Sequence, residues 1–147
     1  MNGKWFYRVH FQLFLLICTN KKIKMGVFVI TKRSSNDYKF EFVSRKGKTI
    51  LTSDSYELRF ECEEDVELLK VSLPEAVFMR FKTSSGKFYF RLIVNKKELA
   101  TSRKYTTQLL MQRGIDEIMR SGSMAEMLDF STNDFVFPEI EAFEANV

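Results

Sequence analysis

Apolar and polar residues alternate in the segment Lys39-Phe40-Glu41-Phe42, so Phe40 and Phe42 are predicted to share the buried face of a strand. A β-branched and aromatic run at residues 27–30 predicts a strand before it, and residues 50–53 predict a strand after it. The period then changes to four and three residues, which predicts a helix whose buried face holds Leu58, Cys62, Val66 and Leu69. The pattern therefore predicts three antiparallel strands followed by one helix.

The same order of elements returns a little under 50 residues later. Strands are predicted at residues 77–81, 87–92 and 99–102, a helix follows Thr106 or Thr107 as its cap, and a last strand covers residues 125–130. The spacing is 48 residues from Phe40 to Phe88 but 49 from Ser53 to Ser102, so the second copy is predicted to have one extra residue near its turn. A repeat of this length indicates one supersecondary unit used twice.

Each copy contains two Phe residues separated by one residue, a polar turn, a Thr-Ser pair and a Tyr three residues after that Ser. The second copy adds Gly-Ile in its helix. This combination resembles the YegP-like family of small bacterial and archaeal proteins that have no assigned biochemical function. The likeness covers about residues 26–131, and the residues that carry it are Phe40, Phe42, Thr52, Ser53, Tyr56, Phe88, Phe90, Thr101, Ser102, Tyr105, Gly114 and Ile115. Two departures are present: the family's Asn-Gly turn is divided between Gly47 and Asn95, and Asp65-Val66 replaces Gly-Ile in the first helix.

The resemblance implies an α+β fold, in which a tandem repeat of β-β-β-α-β units forms one antiparallel sheet with the helices packed on one face. Members with a single unit form this arrangement as dimers, so this chain is expected to be a monomer that contains an internal pseudo-dimer. We expect residues 1–24 to be an extension outside the fold, residues 25–131 to form a single domain of two repeats (about 25–75 and 76–131), and residues 132–147 to form an acidic tail.

The net charge of +4 is distributed unevenly. Residues 1–24 carry five positive charges and no acid, so from residue 25 onward the net charge is −1. The apolar run at residues 11–18 is too short to span a bilayer as a helix. We therefore expect no membrane association. Met25 is interpreted as the biological start and residues 1–24 as an upstream extension, with a targeting segment as the alternative. Cys18 and Cys62 are too few for a disulfide framework, which favours a cytoplasmic location.

Hydroxyl side chains at matched positions, Ser53 with Tyr56 and Ser102 with Tyr105, are the first candidates for chemistry. A nucleophilic Ser needs a neighbouring base, and the only His is His10, which precedes the predicted fold. The sequence has no phosphate-binding loop and no Cys/His spacing for zinc. No catalytic, cofactor-binding or metal-binding residue is therefore assigned. The hydroxyls are predicted to have structural roles, with ligand contact as the alternative.

Nucleic-acid binding is the alternative function. Tyr89 alternates with Phe88 and Phe90, so it is predicted to lie on the sheet face opposite the core, beside Arg91. An aromatic ring beside a guanidinium group can stack a base, whereas the near-neutral charge after residue 24 argues against an electrostatic footprint. The sequence thus favours a small non-catalytic binding or interaction module of unknown ligand over a nucleic-acid-binding accessory protein and over an enzyme.

Overall fold

The structure, a computed structural model, describes residues 25–132. The extension and most of the acidic tail expected from the sequence lie outside the described residues. Within the described range the chain forms seven strands and two helices, and a short 3-10 turn follows each helix (Leu73–Glu75 and Gly122–Met124). The elements are β1 (Val27–Lys32), β2 (Tyr38–Val43), β3 (Thr49–Ser53), α1 (Arg59–Ser72), β4 (Val77–Lys82), β5 (Phe88–Val94), β6 (Lys97–Ser102), α2 (Gln108–Ser121) and β7 (Glu126–Asp129).

All seven strands belong to one sheet, in the order β4-β5-β6-β3-β2-β1-β7. The predicted α+β class is confirmed. The prediction of a wholly antiparallel sheet was wrong, because β7 runs parallel to β1. A parallel neighbour requires a crossover connection rather than a hairpin. β7 reaches β1 by way of α2, whereas the hairpin-linked strands β1–β3 and β4–β6 are antiparallel.

Two three-stranded units meet at β3 and β6, where Leu51 lies opposite Ser102 and Thr52 opposite Thr101. We call β1–β3 with α1 the first unit, and β4–β6 with α2 the second unit. In each unit the start of the middle strand bridges to a Tyr beyond the third strand, Tyr38 to Tyr56 and Phe88 to Tyr105. Tyr38 and Phe88 are 50 residues apart in the sequence, and Tyr56 and Tyr105 are 49 residues apart.

The predicted alignment of the two copies was therefore wrong by two residues in the middle strand of each unit, β2 and β5. Phe40 corresponds to Phe90, since each donates its backbone N–H to the Ser of the neighbouring strand. The second copy also has one residue fewer at its turn, not one more. Asn95 and Lys96, both with positive φ, make a two-residue turn there, whereas the first copy uses the longer loop of residues 44–48.

Both helices pack on one face of the sheet and form a single core with it. Cys62, Val66 and Leu69 are buried on α1 as predicted, but Leu58 precedes the helix and is exposed, so that part of the predicted face was wrong. On α2 the buried side chains include Met111, Ile115 and Ile118. Phe40, Phe42, Ile50, Phe90 and Leu99 from the two units belong to the same cluster, and Phe88 packs against it half-buried.

The two helices begin differently. The Thr107 hydroxyl accepts a hydrogen bond from the Leu110 backbone N–H at 3.2 Å, which confirms one of the two predicted caps of α2. Among the described residues no side chain caps α1, which starts after Leu58. Leu58 has no side-chain acceptor, so it leaves the first N–H groups of α1 without this partner.

Neither helix lies on the other side of the sheet, which we call the open face. Its β1 end has a small cluster of Val27, Val29 and Val43, against which Leu128 and Phe130 pack. At the β4 end the alternation places Val77, Met79 and Phe81 on this face, because Phe78 faces the core. The two ends of the open face therefore differ in what covers them.

The shared core predicts one unfolding transition for both units. Phe90→Ala should lower the free energy of unfolding by about 3–5 kcal/mol, because it empties a fully buried site. Hydrogen exchange should then quicken equally at backbone amides of β2, in the first unit, and of β5, in the second.

Phe60→Ala is the control, because Phe60 is exposed on α1. If Phe90→Ala accelerated exchange in the second unit alone, the two units would be separate domains and the shared core would be wrong.

Candidate functional site

The two matched serines hold neighbouring strands together. The Ser53 hydroxyl accepts a hydrogen bond from the Phe40 N–H at 2.9 Å and donates to the Asp54 carbonyl at 2.8 Å. Ser102 makes the same pair of bonds in the second unit, at 2.9 Å and 2.8 Å. Both serines are buried, and residues 25–132 contain no His that would activate them. Their hydroxyls thus satisfy backbone groups in the sheet.

Tyr56 belongs to a polar cluster that connects the two units. Its hydroxyl donates to the Asp65 carboxylate on α1 at 2.8 Å, and Lys97 at the start of β6 contacts the same carboxylate oxygen at 2.7 Å. Asp65 is 8% exposed, so this carboxylate has exchanged water for two protein donors. Burial, and then the bond to Asp65, raise the pKa of Tyr56 above its ordinary value, so the phenol stays protonated.

Tyr105 occupies the corresponding place in the second unit but faces glycine instead of aspartate. A Cβ atom built on Gly114 would lie 2.4 Å from the Tyr105 hydroxyl oxygen, closer than atoms can approach. The hydroxyl is buried and has no hydrogen-bond partner among the described residues. Burial raises the pKa of Tyr105, an effect that Arg103 opposes. Gly114 is thus the residue that makes room for this ring.

Cys62 is a free and buried thiol, as the sequence predicted. Burial, with the neighbouring Asp65 charge as a further cause, raises the pKa of Cys62 to about 12. A thiol of this kind stays protonated at neutral pH and is a poor nucleophile. Within residues 25–132 no three His, Cys, Asp or Glu side chains lie together in a way that would hold a metal ion.

Tyr89 and Arg91 lie on the open face, on the side predicted from the alternation. Tyr89 stacks against Phe81 of β4, with ring centroids 5.2 Å apart and an interplanar angle of 18°. Arg91 places its guanidinium carbon 5.1 Å from the centre of the same Phe81 ring and forms an ion pair with Glu98 at 3.3 Å. One face of Tyr89 and the charge of Arg91 are therefore already engaged within the sheet.

A groove of about 550 Å³ lies on the sheet where the two units join. Lys39 and Glu41 at its wall form an ion pair at 2.6 Å, so charges of both signs are present. The residues lining the groove are Lys39, Glu41, Thr49, Thr52, Ser53, Asp54, Thr101, Ser102 and Arg103. The groove is therefore lined by hydroxyl groups, two cations and two acids, so its charges do not favour either an anionic or a cationic ligand.

The six predicted site residues thus do not form one site. Ser53 and Ser102 bond to backbone groups within the sheet and line the groove. Tyr56 and Tyr105 pack against the core on the helix side, and Tyr89 and Arg91 lie on the open face. Sequence reasoning missed Val77 and Met79 as surface residues, because the apolar run at residues 77–81 reads as an ordinary buried strand. Neither helix of residues 25–132 is long and apolar enough to cross a membrane.

Several known proteins are similar to this chain. Residues 84–129 match a family described as a domain of unknown function, DUF1508. The UPF0339 protein YegP of Escherichia coli is 30% identical over 106 residues, which are 71% of this chain and 96% of that protein. A UPF0339 protein in the ptx operon 5′ region of Stutzerimonas stutzeri is 26% identical over 106 residues, again 71% of this chain and 96% of its own.

Two solution NMR structures have a similar fold. The Escherichia coli protein YegP, described as of unknown function, gives a TM-score of 0.69 at 27% identity and is covered over 98% of its length by 76% of this chain. A UPF0339 protein of Shewanella oneidensis gives a TM-score of 0.69 at 25% identity, with 75% of this chain covering 95% of that one. The likeness extends over both units.

The contact between Gly114 and Tyr105 gives a test of how the second unit is packed. Gly114→Ala should lower the free energy of unfolding by about 1–3 kcal/mol, because overpacking outweighs the gain in helix propensity. Tyr105→Phe removes the colliding hydroxyl but keeps the ring carbon 3.1 Å from the new Cβ, so the double variant should regain part of this loss. Urea denaturation of the two single variants and the double variant measures the coupling.

Asp65→Ala in the first unit is the control, because it should destabilise by removing the partner of Tyr56 and gain nothing from Tyr105→Phe. Additive effects of Gly114→Ala and Tyr105→Phe would contradict the steric explanation.

Proposed function

The chain belongs to the YegP-like UPF0339 family, a family of unknown function, and we propose that it acts as a non-catalytic binding module in the cytoplasm. The cytoplasmic assignment is supported by the free thiol of Cys62, which fits a reducing compartment. The binding surface that we propose is the β4 end of the open face, formed by Val77, Met79, Phe81, Tyr89 and Arg91. We call it the β4 surface.

The observation that carries this proposal is the exposure of large apolar side chains on an edge strand. Val77 is 55% exposed and Met79 is 45% exposed. Val77, Met79 and Phe81 are every second residue of β4, so all three lie on the same face. The stacked rings of Phe81 and Tyr89 extend this surface onto β5. Contiguous exposed apolar residues rimmed by polar ones are typical of a protein interaction site.

The arrangement of the polar groups argues against catalysis at the predicted residues. The hydroxyls of Ser53 and Ser102 each satisfy one backbone donor and one backbone acceptor. The phenol of Tyr56 is bound to Asp65, and burial raises the pKa of the Cys62 thiol. Each of these groups has a structural partner or lacks the activated form that nucleophilic chemistry requires.

Binding of single-stranded nucleic acid at the same surface is the second candidate. It is favoured by the placing of Tyr89 and Arg91 side by side on the open face, since ring stacking and a cation are what such sites use. It is disfavoured by Glu98, whose carboxylate pairs with Arg91 and adds a negative charge at this position. We therefore rank a protein partner first.

A protein partner should depend on the apolar part of the β4 surface. Met79→Lys should abolish capture of that partner from a bacterial lysate, because a charge would enter the centre of the apolar contact. Met119→Lys on α2 makes the same change at a residue of similar exposure, 43%, and should leave capture unchanged. The measurement is quantitative mass spectrometry of proteins retained by the wild type and by both variants. Equal retention by all three proteins would exclude this surface.

Fluorescence anisotropy with a labelled 15-residue oligothymidine tests the second candidate. We expect any binding to disappear with added salt and to be insensitive to Tyr89→Ala, because the ring is already stacked on Phe81. A loss of affinity of more than about tenfold in Tyr89→Ala, with the fold retained, would reverse the ranking, since stacking of one base contributes about 1–3 kcal/mol.

A further inference from the structure

β1 and β4 are related by the internal repeat, but within residues 25–132 only β1 has a strand on its outer side. Beside β1 lies β7, in the register Phe28 opposite Met127, Val29 opposite Leu128 and Ile30 opposite Asp129. The corresponding strand of the second unit is β4, and within residues 25–132 its only strand neighbour is β5. By analogy with β7, which follows α2 and pairs with β1, the strand after α1 would pair with the outer side of β4. That strand is β4 itself, so it cannot fill this place.

The backbone of β4 is ready to accept a strand at this edge. Thr83 donates its N–H to Lys87 at 2.8 Å, and opposite residues of an antiparallel pair alternate between bonded and non-bonded. Phe81 and Met79 therefore bond to β5, while Arg80 directs its N–H and carbonyl away from the sheet. Ile30, the counterpart of Arg80, uses its carbonyl in this direction to accept the Phe130 N–H at 2.8 Å.

Side chains on both faces of the open edge show what a strand added there would meet. The counterparts of Phe28, Val29 and Ile30 are Phe78, Met79 and Arg80. Phe78 packs half-buried against the core and Met79 is exposed on the open face. Arg80 is exposed and its only described polar contact is the Gln112 side chain on α2. An incoming strand in the register of β7 would thus place two apolar residues and then an acid against these three.

From these observations we infer that β4 is the docking edge for an extended segment of another protein, which adds as a parallel strand and carries two apolar residues followed by an acidic one. This inference rests on the proposed function and identifies the partner of the β4 surface. Main-chain hydrogen bonds to an edge strand supply affinity, and alternate side chains supply specificity.

Charge decides between a foreign strand and a second copy of this chain. Arg80 and Lys82 both lie on β4, and neither forms an ion pair within residues 25–132. Pairing of β4 with β4 of a second copy would put four cations along one short seam, and like charges facing each other destabilise a sheet. On the outer side of β1, by contrast, the added strand β7 brings an acid to a cation, because Asp129 on β7 forms an ion pair with Arg59 on α1. The open edge therefore selects an acidic strand.

The probe for the experiment is a synthetic peptide with the sequence of residues 125–132, blocked at both ends and labelled with fluorescein. It contains Met127, Leu128 and Asp129 in the order that the inference requires. Titrated with the full chain, it should bind with an affinity that Arg80→Glu lowers by about tenfold, because the acid then faces an acid. A peptide with Lys in place of Asp129 should bind Arg80→Glu better than it binds the wild type.

Two variants separate the backbone and charge contributions. Arg80→Pro removes the outward N–H, which the internal ladder does not use, and should abolish binding while the far-ultraviolet circular dichroism stays unchanged. Arg120→Glu at the end of α2 makes the same charge change away from the edge and should bind the peptide as the wild type does.

Amide chemical shifts identify the edge that is occupied. Supporting the inference, titration with the peptide should move the signals of Val77–Lys82 and leave those of Val27–Lys32 in place. Shifts at Val27–Lys32 would mean that the peptide displaces β7 and would overturn the inference, as would binding indifferent to Arg80. Self-association that Arg80→Pro abolishes would overturn it too, because the edge would then hold a second copy.

Failure of this inference and failure of the proposed function are distinguishable. If the peptide does not bind but Met79→Lys still abolishes capture of a partner, the β4 surface binds through its open face and strand addition is wrong. If the peptide binds at β4 and capture is indifferent to Met79→Lys, the edge accepts strands but the apolar surface is not the binding site proposed above.

Discussion

The pairing of β3 with β6 is the contact on which the rest of this structure depends. It consists of three residue pairs, from Leu51 opposite Ser102 to Ser53 opposite Ala100, and one further hydrogen bond from the Arg103 N–H to the Ile50 carbonyl at 3.0 Å. A unit of three strands and one helix, about 50 residues long, buries too little apolar surface to be comfortably stable. Joined at this seam, the two units place Phe40 and Phe90 in one core. The contact between Lys97 and Asp65 crosses the seam on the helix side.

The seam also explains why the two edges of the sheet differ. Each unit ends in a helix followed by a strand, and in the first unit that strand is β4, which begins the second unit. Within residues 25–132 one strand, β7, therefore remains to pair with the outer side of either β1 or β4. β7 covers β1, where Leu128 and Phe130 pack on Val27 and Val29. The exposed edge at β4 thus follows from connecting two units in one chain.

Strand and helix positions could be predicted from the sequence, because the periods of two and of three to four residues reflect burial directly. The alignment of the copies could not. Lys39-Phe40-Glu41-Phe42 resembles Lys87-Phe88-Tyr89-Phe90, yet the bridges to Tyr56 and Tyr105 show that the true offset is two residues larger. A shift of two leaves every side chain on its own face of a strand. The predicted core residues were therefore correct despite the wrong alignment, whereas the predicted difference in turn length between the copies was wrong.

The roles of the polar residues were less accessible to sequence reasoning. Ser53 and Ser102 recur because each satisfies a backbone N–H in the neighbouring strand, and a recurring hydroxyl looks the same in sequence whether its partner is a backbone group or a ligand. The replacement of Gly-Ile by Asp65-Val66 was visible in the sequence. The structure shows its role: the Tyr56 hydroxyl donates a hydrogen bond to Asp65, whereas the Tyr105 hydroxyl packs against Gly114.

Residues at corresponding positions of β1 and β4 show what the open edge has retained. Ile30 lies on the strand that β7 covers and is buried in the core, whereas its counterpart Arg80 is charged and exposed. A charge on an exposed edge strand opposes its pairing with a second copy. Avoidance alone would favour polar residues on both faces of β4. Val77 and Met79 remain apolar on the open face, beside the aromatic pair of Phe81 and Tyr89. A strand that combines a cation facing the helices with apolar side chains on its other face resists a second copy, yet keeps the contacts that an acidic, apolar strand would bury.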